Sequence, residues 1–209
     1  MCVIVVKPKE KEISLDVLRK CWNANGDGAG VAWKEKGSIR VRKGIMSFEE
    51  FERIFKEVYS KQKEMVFHFR LTSRGRTCPE MTHPFRLVRL PEPDPLEFVT
   101  TRPVLFHNGT ILELGDWEKS DTFFLARLLS ELYEHRVPIK DIAKVLSLIS
   151  GNKFVLFSPQ KTVLIGNFEE EEGCLFSNLY WKSEDLVRAW RWGNNRWGSN
   201  RRRGGIGWW

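Results

Sequence analysis

The chain opens with an apolar run, Val3-Ile4-Val5-Val6, that predicts a β-strand over residues 2–7. A helix is expected over about residues 14–23. It leads into the glycine-rich turn Asn23-Ala24-Asn25-Gly26-Asp27-Gly28-Ala29-Gly30, where glycine supplies positive φ or close backbone approach. Strands follow at 31–35 and near 38–43, around the turn Lys34-Glu35-Lys36-Gly37. Residues 47–62 read as an amphipathic helix. Phe48, Phe51, Ile54, Phe55 and Val58 share one face, Ser47 is placed to cap it, and Glu50 follows three residues on as in a capping box.

Residues 65–71 predict a strand that ends in the polar loop Thr72-Ser73-Arg74-Gly75-Arg76-Thr77. The proline-rich stretch 91–95 reads as a linker between two strands. Val104-Leu105-Phe106 is a short apolar strand ending at His107-Asn108-Gly109. Helices are expected at about 122–135 and 139–150, then a hairpin of strands 153–158 and 161–166 around Ser158-Pro159-Gln160. Many hairpins and few crossover units predict an α+β fold with antiparallel sheets.

Composition narrows the function classes. The 209 residues suffice for one core of roughly 180 residues plus an extension. No run approaches the ~20 apolar residues of a membrane span, and no secretion signal is read, so a cytoplasmic protein with reduced thiols is the expectation. The four cysteines (Cys2, Cys21, Cys78, Cys174) show neither CxxC spacing nor a His/Cys cluster; no metal site is expected and no cofactor is called for.

The net charge of +7 is uneven, because six arginines fall between Leu186 and Trp209 with no lysine and no acid, and the rest is nearly neutral. The chain therefore divides into a body, residues 1–186, and an Arg/Trp/Gly-rich tail, residues 187–209, which holds five of the nine tryptophans and is expected to be disordered in isolation. Interleaved Arg and Trp suit contact with nucleic acid, a protein partner or an anionic surface. A solvated tail without a ligand is the plainer alternative.

The candidate chemistry starts at Cys2. Cysteine is small enough to permit removal of Met1, which would put a free α-amino group, of pKa about 7.7, on the residue that carries the thiol. Such an amine serves as base for its own side chain. His68-Phe69-Arg70 ends a strand, and a guanidinium fork there suits a substrate carboxylate. His83-Pro84-Phe85 follows a loop able to fold over a pocket. Asn108 and Gly109 offer an amide and a backbone N–H to one oxyanion. Asp121, in Ser120-Asp121-Thr122, could hold an ammonium. Singly, each has an ordinary reading: a structural histidine, a turn pair, a helix cap, a surface ion pair.

Taken in order, these residues resemble the class II glutamine amidotransferases, N-terminal nucleophile hydrolases. The shared pattern is Cys after the initiator Met, the loop Asp27-Gly28-Ala29-Gly30, His68-Phe69-Arg70, His83-Pro84, His107-Asn108-Gly109 and Asp121-Thr122, spanning about residues 2–180. The undecorated length is similar to that of stand-alone members. The resemblance implies a four-layer αββα sandwich with two antiparallel sheets. It implies Cys2 as nucleophile, its amino group as base, Asn108 and Gly109 as oxyanion hole, Arg70 on the α-carboxylate and Asp121 on the α-amino group of glutamine, with His83 in the substrate region. Ammonia would leave through a γ-glutamyl thioester, toward a separate ammonia-accepting synthase. Two departures stand out: Val3 follows the nucleophile where Gly is frequent, and Leu71-Thr72-Ser73-Arg74-Gly75 replaces an aromatic-Ala-Thr-His-Gly loop. The second opens an alternative substrate, another γ-glutamyl amide or peptide. A degenerate scaffold that works through its tail is the remaining alternative.

Overall fold

The computed structural model describes residues 2–183; the tail 187–209, and the expectations attached to it, lie outside the described residues. Strand β1 (Val3–Lys7) is followed by helix α1 (Leu15–Ala24), the hairpin β2 (Ala29–Glu35) and β3 (Ser38–Ile45), helix α2 (Phe48–Val58) and strand β4 (Met65–Phe69). Short strands β5 (Phe85–Arg86) and β6 (Glu97–Thr100) precede β7 (Val104–Asn108), then helices α3 (Asp121–Glu134) and α4 (Ile139–Ser147). The hairpin β8 (Lys153–Phe157) and β9 (Thr162–Ile165) and the pair β10 (Glu169–Glu171) and β11 (Cys174–Phe176) complete the order.

The fold is α+β with two antiparallel sheets. One has seven strands in the order β10-β11-β1-β4-β2-β3-β6, and the other has four in the order β5-β7-β8-β9. Side-chain alternation along the strands separates three apolar clusters. Val3 and Val5 of β1 and Met65, Phe67 and Phe69 of β4 pack against α1 and α2. Ile4, Val6 and Val66 face the other way and meet Val104, Phe106, Val155 and Phe157 of the smaller sheet. Leu105, Phe154 and Leu156 then turn their backs on that layer to meet α3 and α4. Helices thus cover the outer face of each sheet, and the sheets meet across an aliphatic and aromatic layer.

Helix α2 shows how local sequence sets these boundaries. Its five-residue apolar face is buried as the period predicts. Ser47 Oγ accepts from Glu50 N at 3.2 Å, but the Glu50 carboxylate accepts from Met46 N at 3.4 Å, so the capping box closes one residue early. The helix ends at Val58 rather than near 62. Tyr59 is extended there, stacks its ring 4.6 Å from Phe55, and accepts Ile13 N–H on its hydroxyl. A tertiary contact outweighs the helical propensity of the following residues.

Two glycines have positional meaning. Gly44 (φ 77°) takes the extra position where the β2–β3 register shifts. Gly30, opposite it, lies against the carbonyl of His83; a Cβ there would sit 1.9 Å from that oxygen. Among the described residues, no helix is long and apolar enough to cross a membrane.

Candidate active site

Cys2 stands just before β1, and because Val3 pairs with Phe69, it meets the chain leaving β4 at Arg70 and Leu71. Its Sγ accepts from Leu71 N at 3.3 Å and lies 3.5 Å from Leu71 O. Cys2 O accepts from Asn178 Nδ2 at 2.8 Å. Burial pushes the thiol pKa up; the Leu71 hydrogen bond and the Arg70 charge oppose this, and Asp121 adds to it. The sulfur is therefore a neutral thiol near pH 7.

Arg70 is 2% exposed, and its guanidinium is aimed by its own loop. One terminal nitrogen donates to Arg76 O and the other to Arg74 O, both at 2.9 Å. The backbone is fixed on the opposite side, with Arg70 N donating to Gly28 O and Asp27 N to Arg70 O. Asp27 also accepts Thr72 N–H at 2.8 Å, which ties the first residues of the loop to the glycine-rich turn. Two of the five guanidinium protons go to the loop carbonyls, leaving the rest of the fork for a carboxylate.

Asp121 is the first residue of α3, and Ser120 is the cap, accepting Phe123 N–H at 3.2 Å. Released from capping, the Asp121 carboxylate accepts from Ile111 N at 2.8 Å and from Thr122 N at 2.7 Å. It thereby pins the segment after Gly109 to the helix start.

The strand end carrying Asn108 is held through His107. Its Nε2 faces Asn152 Oδ1 at 2.7 Å, so Nε2 carries the proton, and burial keeps the ring's pKa below its ordinary value. Nδ1 of the neutral ring then accepts the Thr122 hydroxyl at 2.8 Å. Gly109 follows at φ 152°, where a Cβ would lie 2.0 Å from Asn152 Oδ1. No larger residue fits that turn.

Asn108 Nδ2 donates to Ser177 Oγ at 2.9 Å, and the same hydroxyl accepts Ile4 N–H at 2.9 Å. One buried serine thus connects the Asn108 amide to strand β1, which follows Cys2. Lys153 Nζ donates to Ser177 O in turn. Sequence reasoning missed Ser177, Asn178 and Asn152: each reads as a turn residue, and none shows its pairing until the two sheets are stacked.

His83 does not join this network. Its ring lies between the sheets, 4.0 Å from His68 and 5.2 Å from Phe85, with both ring nitrogens buried and unpartnered. Burial holds its pKa well below the ordinary imidazole value. His68 Nε2 donates to His107 O at 3.0 Å, linking the sheets directly behind Asn108. Among the described residues, no group of three or more His, Cys, Asp or Glu is placed to hold a metal ion. No family model matches the chain, and no curated protein matches it.

Proposed function

We propose that this chain is an amidohydrolase of the class II glutamine amidotransferase type, with the fold of the N-terminal nucleophile hydrolases. The observation that carries the reading is the meeting of Cys2, Arg70, Asp121 and Asn108 at one end of the sheet pair. These residues lie far apart in sequence and carry the complementary chemistries that an amide of an α-amino acid requires.

In this reading Met1 is removed and the Cys2 α-amino group accepts the thiol proton, which the buried sulfur does not release unaided. The thiolate attacks the γ-carboxamide carbon. The oxyanion is held by the Asn108 side chain and Gly109 N–H, and collapse expels ammonia, which takes its proton from the ammonium of Cys2. Water then hydrolyses the γ-glutamyl thioester to glutamate. Arg70 receives the substrate α-carboxylate, and Asp121 the α-ammonium.

A γ-glutamyl peptide is the second reading, favoured by the loop over the site. Gly75 N donates to Asp116 O, and Arg74 reaches Leu112 O, so loop 71–77 is joined to segment 110–119, where Leu112 and Trp117 are exposed. Steady-state release of glutamate from L-glutamine and from γ-glutamyl dipeptides tests both readings. The reading expects turnover of at least one substrate and none by Cys2→Ala; equal turnover by that variant contradicts it.

A further inference from the structure

Ser177 has 0% exposure and sits between β1 and β7. A hydroxyl carries one proton and two acceptor sites. Both acceptor sites of Ser177 Oγ are taken, by Ile4 N–H and by Asn108 Nδ2–H. In both of its hydrogen bonds among the described residues Ser177 Oγ accepts, so its proton is not used there, and beside it Asn108 Oδ1 is buried without a donor. An unused donor and an unused acceptor thus fall on one hydrogen-bonded pair. Leaving both unmade costs more than either bond is worth on the surface.

The two ends of a carboxamide are nearly equal in size, so a half-turn of the Asn108 amide needs no new space. Oδ1 then lies at Ser177 and accepts its proton, the Ile4 bond is untouched, and the NH₂ points away from Ser177. We propose that this is the working orientation, and that Ser177 is a positioning residue whose hydroxyl proton turns an Asn108 N–H donor to the oxyanion. Resting on the amidohydrolase reading, this assigns Ser177 a role through Asn108 alone. An unpartnered N–H is costly in the empty site and is satisfied when negative charge develops beside it, which favours the transition state over the ground state.

The test is kinetic, with whichever γ-glutamyl amide the wild type hydrolyses. Ser177→Ala is expected to lower kcat on the order of 10²-fold with KM changed less than about threefold. In an Asn108→Ala background the same change is expected to have little further effect, since the residue it acts through is gone. Iodoacetamide alkylation of Cys2, a displacement that forms no oxyanion, is expected to stay within about twofold of wild type, because it reads the nucleophile alone. Ser177→Thr, which restores the hydroxyl, is expected to recover most of kcat. Should Ser177→Ala fail to fold, Ser177→Cys keeps the volume with a weak donor and acceptor, and is expected to shift kcat in the same direction.

Equal losses of kcat in the two backgrounds, or a parallel loss of alkylation, would overturn the proposal in favour of a purely structural serine. An active wild type with an unaffected Ser177→Ala removes the proposal and leaves the amidohydrolase reading. A wild type that turns over neither glutamine nor a γ-glutamyl dipeptide removes both.

Discussion

Two polar clusters interrupt the apolar layer between the sheets, and they are built on opposite terms. At the Cys2 end, Arg70 bonds carbonyls of its own loop and Asp121 and His107 bond partners from other segments, so burial is matched by hydrogen bonds. Further along, Lys43, His68 and His83 share little but proximity. Lys43 Nζ has the Pro84 carbonyl at 3.2 Å and the Phe85 ring at 4.0 Å, and among the described residues no carboxylate is bonded to it. His83 has no partner on either ring nitrogen among the described residues. The first cluster pairs its polar groups; the second leaves most of its own bare. Burial holds Lys43 at about 7 and His68 at about 3, so neutral rings pack as flat apolar bodies with one useful hydrogen bond, His68 to His107 O. The neutral cluster therefore supports the strand that ends at Asn108, while the hydrogen-bonded one is where the proposed function would seat a zwitterion.

The largest expected effect falls on the cluster at the Cys2 end. Cys2→Ala should lower turnover by at least about 10⁴-fold, a loss of the size seen when a covalent nucleophile is removed. Asn108→Ala should follow with a loss of about 10²–10³ in kcat. If the second loss matched the first, Asn108 would be acting on the nucleophile itself rather than on the oxyanion.

The neutral cluster is probed through stability. Gly30→Ala drives a Cβ to 1.9 Å from His83 O and should cost about 1–3 kcal/mol in denaturant unfolding, because that backbone is locked over β2. Lys43→Met should act the other way. Between pH about 7 and 10.5 the unfolded chain binds a proton that folded Lys43 releases, so wild-type stability rises with pH across that window. The variant should lose that slope and gain on the order of 4 kcal/mol at pH 7, the gain vanishing above the window. His68 gives the acid counterpart: between about 3 and 6.5 stability falls as pH falls, since only the unfolded chain accepts the proton. A wild-type stability flat from pH 7 to 10 would dissolve the contrast between the two clusters.

The sequence makes one half of this arrangement readable and hides the other. Strand β1, helices α1 to α4 and the hairpins announce themselves by period and turn chemistry, and Cys2, Arg70, Asn108 and Asp121 stand at their ends, where loops and strand termini carry chemistry. Strand β11 gives no such signal. It has three residues, follows the acidic run Glu169-Glu170-Glu171-Glu172, and takes its identity from pairing with β1. Ser177 and Asn178 inherit their positions from that long-range pairing, so nothing near them in sequence marks them. His83 is legible as a residue of interest, but its neighbours are set by the crossing of segment 79–84 over β2 and β3, which only the assembled sheets define.

The most direct test of the central claim is the intact mass of the full chain before and after 6-diazo-5-oxo-norleucine, a glutamine-shaped electrophile. The account predicts loss of Met1 and one stoichiometric adduct that Cys2→Ala abolishes. Retained Met1 with no adduct would contradict it.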